Sequence, residues 1–301
     1  MAKRSIMHMF NPMEHNSPFD INMAADAGYD LVFPYGNVQL ENIEGLTQDA
    51  IFSRGPKGVK RTGIFIGGRD IGLAIDMLEA AKKSMVPPFE VSVFADPSGA
   101  FTTAAALVAC VERELKKISG QGYEGTRAIV FGGTGPVGLA TAVIAAQAGA
   151  NTTIVDHFSI DTALEYANEA KRRYGVDLQA TTAASDADKA RLISNADVVF
   201  CTAKAGIQVL NSSVLADAKQ LKVAGDVNAV PPLGIEGVGI MDFGVALEHA
   251  SNSKGAVGIG ALAVGDIKYK LQQALLKETL NTDKPVYLDF RHAFDGARKL
   301  V

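Results

Sequence analysis

The sequence predicts an α/β protein of two domains, and three observations predict it. Short β-like runs alternate with helical runs along the chain, the pattern of sheets covered by helices. A length of 301 residues is enough for two ordinary domains, each burying a core of its own. The segment Gly120-Gln121-Gly122-Tyr123-Glu124-Gly125 is rich in glycine and poor in apolar side chains, which marks a boundary. The expected division is an N-terminal α/β domain over residues 1–120, a second α/β domain over 121–265, and a C-terminal helix and tail over 266–301 that packs back on the first domain.

In the first domain Ser5–Phe10, Asp30–Phe33, Gly63–Ile66 and Glu90–Ala95 read as strands. Ile71–Met85 carries apolar residues at helical spacing (Ile71, Ile75, Leu78, Ala81), and Thr102–Ile118 does the same with a Lys/Glu-rich second half. In the second domain Arg127–Phe131, Thr152–Asp156, Asp177–Thr181, Asp197–Thr202 and Leu221–Asp226 are strand candidates with helical runs between most of them. That order predicts a parallel, doubly wound sheet. Beyond Gly265 a helical run, Ile267–Leu280, leads to a strand candidate at Val286–Phe290.

Composition narrows the function classes. Hydrophobic residues make up 48% and charged residues 21%, as in a globular protein without long disorder. Cys110 and Cys201 lie far apart inside apolar segments, so neither a disulfide framework nor a cysteine metal site is expected. A net charge of −4 without a basic run gives no electrostatic reason to expect nucleic acid. No stretch of about 18 apolar residues occurs, and the basic start Met1–Phe10 lacks the apolar core of a signal peptide. A cytoplasmic protein with a small-molecule partner and no membrane span is the expectation. His8 and His15 flank Met-Phe-Asn-Pro at a spacing that fits no metal motif, so no metal site is expected.

The strongest motif is Gly132-Gly133-Thr134-Gly135-Pro136-Val137-Gly138. It holds G-x-G-x-x-G as Gly133, Gly135 and Gly138, follows an apolar strand, opens the Ala-rich helix Leu139–Gln147, and precedes a second strand ending in Asp156 about twenty residues on. This is the dinucleotide fingerprint of a Rossmann domain. On that reading Gly133 permits the tight turn, Gly135 lets a pyrophosphate approach the backbone, and Gly138 lets helix and strand pack closely. Asp156 would accept hydrogen bonds from both ribose hydroxyls of NAD and repel a 2′-phosphate, so NAD should be preferred. The neighbouring His157 softens that exclusion and leaves NADP as a second cofactor. The bland alternatives are a ligand-free glycine turn and a strand-end aspartate.

Two further loops follow strands: Thr202-Ala203-Lys204-Ala205-Gly206, and Gly225 to Gly234 with Asp226 and Asn228. Lying at carboxyl ends, they are expected to line the nicotinamide half of the cofactor. Lys268 reads as a first-turn residue of a helix opened by Asp266, where a cation opposes the helix dipole, and such misplacement points to use.

Several strings together resemble the methylene-tetrahydromethanopterin dehydrogenases of methylotrophic bacteria, relatives in fold of the methylene-tetrahydrofolate dehydrogenases. They are Tyr35-Gly36-Asn37-Val38, Gly67-Gly68-Arg69-Asp70, Asp96-Pro97-Ser98-Gly99 with Thr102-Thr103, Gly132 to Gly138, Asp226 to Ile235, and Ile267-Lys268-Tyr269-Lys270-Leu271. The resemblance covers nearly the whole chain. It implies an N-terminal substrate domain, a Rossmann domain, an interdomain cleft, and a homo-oligomer, a trimer or hexamer. It also implies hydride transfer from the methylene bridge of a reduced pterin to NAD(P)+, with Lys268 at the substrate. Asp156-His157-Phe158 departs from strictly NADP-dependent members, which carry a basic residue there.

On the substrate side Asp96, Ser98, Thr102 and Thr103 can satisfy the polar edge of a pterin, and Tyr35 and Asn37 can flank a ring. The alternative for the Ser/Thr group is a helix cap with its turn. Arg54, Lys60 and Arg61 read as a solvated basic loop rather than a tail-binding one. Rival functions are a methylene-tetrahydrofolate dehydrogenase, a shikimate-type dehydrogenase lacking its proton-moving Lys/Asp pair here, and a non-catalytic NAD-binding redox regulator.

Overall fold

The computed structural model describes residues 3–301; Met1 and Ala2, the first residues of the basic start, lie outside the described residues. The described chain divides into two compact units, one formed by residues 3–102, Tyr269–Gly296 and Leu300, the other by Thr103–Lys268 with Ala297–Lys299 and Val301.

The first unit is built on strands β1 (Ile6–Phe10), β2 (Leu31–Tyr35), β3 (Thr62–Ile66), β4 (Ser92–Ala95) and, from the C-terminal segment, β12 (Tyr287–Leu288). All neighbours are parallel, in the order β12-β4-β3-β1-β2. β3 and β4 are buried along their whole length, as Thr-Gly-Ile-Phe-Ile and Ser-Val-Phe-Ala require of central strands covered on both faces. Helices α1 (Pro18–Asp26), α2 (Ile43–Phe52), α3 (Pro56–Val59) and α4 (Ile71–Lys83) connect them. Asp70 caps α4, its Oδ1 accepting from the Leu73 N–H at 2.9 Å.

The second unit carries a seven-stranded sheet in the order β10-β11-β9-β8-β5-β6-β7. Its strands are β5 (Arg127–Phe131), β6 (Asn151–Asp156), β7 (Gln179–Thr182), β8 (Val198–Cys201), β9 (Val223–Asp226), β10 (Phe243–Ala246) and β11 (Val257–Ile259). All pairings are parallel except the edge pair β10 and β11. The order reverses at β5, the hallmark of a doubly wound Rossmann sheet. Its covering helices include α6 (Pro136–Gln147), α7 (Ile160–Tyr174), α8 (Asp186–Ile193) and α9 (Ser212–Ala216). α7 buries Ala163, Ala167 and Ala170 on one stripe, starts at the Ser159 cap and stops at Gly175, whose φ of 70° only glycine adopts freely.

Two long helices, α5 (Ala100–Ser119) and α10 (Ala261–Leu280), contain the positions in sequence where one unit gives way to the other; α11 (Phe290–Ala297) follows β12. The start of α10 corrects the sequence reading. Gly265 does not interrupt the helix, and the N–H groups of Leu262 and Ala263 find the Ile240 carbonyl at 2.8 and 3.4 Å. A glycine inside a helix costs only about 1 kcal/mol, which the surrounding structure outweighs. Lys268 is therefore in the interior of α10, beyond its first turn, and the dipole argument for it falls.

Cys110 and Cys201 are free and buried, and burial pushes the Cys110 thiol up to about 12. No helix among the described residues is long and apolar enough to cross a membrane.

Candidate functional site

In open parallel sheets ligands gather at the carboxyl ends of strands, beside the point where strand order reverses. Each sheet here has such an edge.

In the Rossmann sheet the reversal lies between β5 and β8. The Gly132–Gly138 loop follows β5 and the Thr202–Gly206 loop follows β8. The glycines divide the work differently from the expectation. Gly132 takes the left-handed backbone, with φ of 73°, and a Cβ there would meet the Ala203 nitrogen at 2.7 Å. Gly133, expected to make the turn, is instead needed for space: its Cβ would lie 2.7 Å from Cβ of Ile154 on β6. At Gly138 a Cβ would lie 2.1 Å from the Gly132 carbonyl oxygen, which is the close helix-to-strand packing expected of it. Gly135 differs from all three. A Cβ there meets nothing nearer than the Gly132 oxygen at 3.4 Å, and no side chain caps the α6 end that it begins. Open space over an uncapped helix N-terminus suits a diphosphate. Pro136 at the first helical position gives up an N–H that had no partner to lose, and Val137 is half-buried beside it.

Asp156 ends β6. Its Oδ1 accepts the N–H groups of Phe158 and Ser159 at 2.8 and 2.9 Å, and its Oδ2 accepts the Thr134 hydroxyl at 2.8 Å. Burial pushes this carboxyl up, but those three donors and the nearby His157 outweigh it and hold it below the usual carboxylate range. Asp156 thus serves the turn as well as facing the loop. Phe158, two residues on, is 88% exposed with its ring 4.4 Å from that of His157.

The Thr202 hydroxyl donates to the Phe131 carbonyl at 2.8 Å, tying the loop after β8 to the end of β5; Ala203 packs against Gly132, and Lys204 is exposed. Asp226 and Asn228, expected to face the cofactor, turn inward. Asp226 is 1% exposed and accepts the N–H groups of Asn228 and Ile235 at 2.9 and 3.0 Å. Asn228 accepts from Gly206 and Val230 and donates to the Pro232 carbonyl. These two side chains stitch the loops after β8 and β9 together and are structural, because buried polar groups are spent on backbone partners.

In the first unit the strand order reverses between β1 and β3, and the loops at the carboxyl edge interlock. The Asn37 N–H donates to the Met13 carbonyl, the Val38 N–H to the Asn11 carbonyl, and the Asn11 amide to the His15 carbonyl. A Cβ at Gly36 would lie 2.2 Å from the Glu14 oxygen. Tyr35 is half-buried, its hydroxyl 3.1 Å from Nδ1 of His8. Burial, with Arg54 nearby, holds the His8 imidazole below its ordinary value.

Asp96 and Thr102, expected at the substrate, are each 0% exposed. Oδ1 of Asp96 accepts the N–H groups of Phe101 and Thr102, and Oδ2 accepts the Thr102 hydroxyl at 2.6 Å. They form the cap of α5, the alternative reading of this group. Ser98 is exposed and donates to the Gly68 carbonyl at 2.7 Å; Thr103 is half-buried. Among the described residues the non-glycine positions with left-handed backbone are Asn37, φ 55°, and Ser98, φ 53°, both in these loops. Arg54 and Arg61 sit at the opposite, amino edge, bonded to the carbonyls of Arg4 and Lys3.

The model of the family described as methylene-tetrahydromethanopterin dehydrogenase, N-terminal, matches residues 18–98. An NAD(P)-dependent methylenetetrahydromethanopterin dehydrogenase of Methylorubrum extorquens is 46% identical over 298 residues, 99% of each chain. The bifunctional protein MdtA of the same organism is 32% identical over 95% of this chain and 96% of its own. In fold alone the chain is similar to shikimate 5-dehydrogenase of Listeria monocytogenes, with 14% identity, TM-score 0.52, and 99% and 96% of the two chains covered. Quinate dehydrogenase of Corynebacterium glutamicum is similar at 12% identity and TM-score 0.52, with 98% of each chain covered. By its full-length identity, the chain belongs to the methylene-tetrahydromethanopterin dehydrogenase family.

Proposed function

We propose that the chain oxidises methylene-tetrahydromethanopterin to its methenyl cation with NAD(P)+ as hydride acceptor, a step of one-carbon metabolism in formaldehyde oxidation. The observation that carries this reading is 46% identity over 99% of the chain to a relative named for that reaction. The open space over Gly135 and the uncapped α6 end fit a dinucleotide diphosphate, with Gly132 to Gly138 as its cradle and Asp156 toward the ribose. Bound there, the nicotinamide supplies the carbon that receives the hydride. The loop from Thr202 to Gly206, with Lys204 exposed, is assigned to the nicotinamide half.

The chemistry asks little of side chains. Two ring nitrogens flank the methylene carbon and delocalise the positive charge as hydride leaves, so no proton moves and no general base is needed. The protein's task is to place donor and acceptor carbons and exclude water. Tyr35, Asn37, Ser98 and Thr103 are the side chains proposed for the pterin. In support, Asn37 and Ser98 hold left-handed backbone, a strain that proteins keep chiefly at functional loops. Lys268 is proposed to orient the pterin, on the family resemblance alone.

NAD is proposed as the preferred cofactor, supported by an Asp156 carboxylate held ionised by its donors. Assembly as a homo-oligomer rests on the same resemblance, and a place in the cytoplasm on the sequence pattern. The test follows nicotinamide absorbance with purified protein, methylene-tetrahydromethanopterin or methylene-tetrahydrofolate, and NAD or NADP. Turnover with the methanopterin substrate is the expected result; activity on neither pterin overturns the reading.

A further inference from the structure

A carboxylate has about four acceptor positions, two on each oxygen. At Asp156 three are taken before any ligand arrives. Oδ1 holds both backbone N–H groups, from Phe158 at 2.8 Å and Ser159 at 2.9 Å, and Oδ2 holds the Thr134 hydroxyl at 2.8 Å. One position remains, on Oδ2 beside Thr134. The expectation that Asp156 binds both ribose hydroxyls therefore does not survive the geometry.

We propose that Thr134 is a positioning residue for cofactor choice: its hydroxyl fixes Oδ2 of Asp156 so that the acceptor position left on that oxygen is held toward the 2′-hydroxyl of the NAD ribose. The inference rests on the reading of Gly132–Gly138 as a dinucleotide site. Thr134 belongs to the loop after β5 and Asp156 to the end of β6, so this bond joins the diphosphate cradle to the ribose acceptor. NADP lacks only the free 2′-hydroxyl, so NAD gains one charge-assisted bond over NADP at that position, and a 2′-phosphate meets a fixed negative charge there. A modest preference for NAD, with NADP still admitted, is the consequence.

The interaction needs the hydroxyl and not the bulk of Thr134, which gives a clean set of variants. Thr134→Val keeps the shape and removes the donor, Thr134→Ser keeps the donor, and Thr134→Ala removes both. Calorimetric titration with NAD and with NADP, in the absence of pterin, is the measurement, beside a melting curve for each variant. Thr134→Val should weaken NAD roughly tenfold, the size of one charge-assisted hydrogen bond, and NADP less than about twofold. Thr134→Ser should keep the parent ratio of the two affinities. Should Thr134→Val fail to fold, the Ser and Ala variants make the same comparison. An unchanged ratio in Val or Ala overturns the proposal, and so does a Ser variant that behaves like Val, since packing would then be the cause. A parent protein that binds neither nucleotide overturns the cofactor reading itself, a different result from a parent that binds both while its variants keep the ratio.

Discussion

The two carboxyl edges of this molecule use their residues in opposite ways. At the Rossmann edge the motif is an arrangement of missing side chains, and each glycine marks a place where a Cβ would strike backbone or leave a space filled. At the edge of the N-terminal sheet the motif is an arrangement of polar side chains, and half of them are spent on one another: Asp96 and Thr102 are wholly buried, while Ser98 and Thr103 keep some exposure. A pattern of glycines reports its function through space, which spacing in sequence specifies. A pattern of polar residues reports nothing about which way each one faces, because a cap and a binding surface need the same residue types.

The widest test of the first half of that contrast separates Gly135 from Gly138. Gly135→Val should leave the melting temperature nearly unchanged, since its backbone is extended and its Cβ meets no atom nearer than 3.4 Å. NAD affinity should fall at least about a hundredfold, the side chain filling the diphosphate space. Gly138→Ala should do the reverse and cost on the order of 3 kcal/mol of stability, its Cβ driven into the Gly132 carbonyl. Denaturation curves beside NAD titrations check both. A Gly135→Val protein that binds NAD normally would remove the Rossmann argument.

Next in size is Lys268. If it orients the pterin, Lys268→Ala should lower turnover about tenfold or more, with NAD affinity unchanged and stability within about 1 kcal/mol. Steady-state rates and an NAD titration on one preparation measure this. Full activity would show that the lysine is only a helix residue.

Asp156 sharpens the comparison because it is a turn cap in the structure and is also proposed as the ribose acceptor. Asp156→Asn keeps an oxygen for the N–H groups of Phe158 and Ser159 but removes the charge, so the NAD to NADP affinity ratio should fall about tenfold with little loss of stability. Asp156→Ala should show the same shift with an added cost of about 1 kcal/mol for the lost cap. The pH dependence has a definite sign. A carboxyl held below its usual range stays ionised, so NAD affinity should be flat between about pH 5 and 8 and decline only as pH falls through the depressed value. The ratio to NADP is not flat over that range, because the 2′-phosphate itself takes up a proton at about pH 6.

Most strands of both units, the parallel pairing of the second sheet and the glycine-rich turn after β5 were legible in the sequence, since apolar runs of four to six residues and the glycine spacing depend on local pattern; β10 and β11 were not. What was not legible has physical causes. Gly265 looks like a helix boundary, yet the Ile240 carbonyl takes the first N–H groups of α10 and lets the helix start at Ala261. Asp226 looks like a cleft residue at a strand end, yet it is 1% exposed and each of its oxygens accepts a backbone N–H, from Asn228 and Ile235, partners that only the folded loop brings near. The sharing of turn and packing duties between Gly132 and Gly133 needed backbone angles that sequence does not contain.

The smallest kinetic effect is expected where the sequence first placed a substrate residue. Thr102→Val keeps the shape of the side chain and removes the hydroxyl that Oδ2 of Asp156's counterpart in the first unit, Asp96, accepts at 2.6 Å. Asp96 retains the N–H groups of Phe101 and Thr102, so its buried carboxylate is weakened rather than abandoned, and stability should fall by about 1–3 kcal/mol. Turnover and pterin KM per folded molecule should stay at parent values, because a side chain with no exposure cannot touch substrate. Thr103→Val is the partner experiment. Its side chain is half-buried at the next position, and if the N-terminal edge binds pterin through its exposed hydroxyls, KM for the pterin should rise severalfold while the melting temperature holds. A rise in KM for Thr102→Val with none for Thr103→Val would invert the assignment, and would mean that the cap opens when substrate arrives.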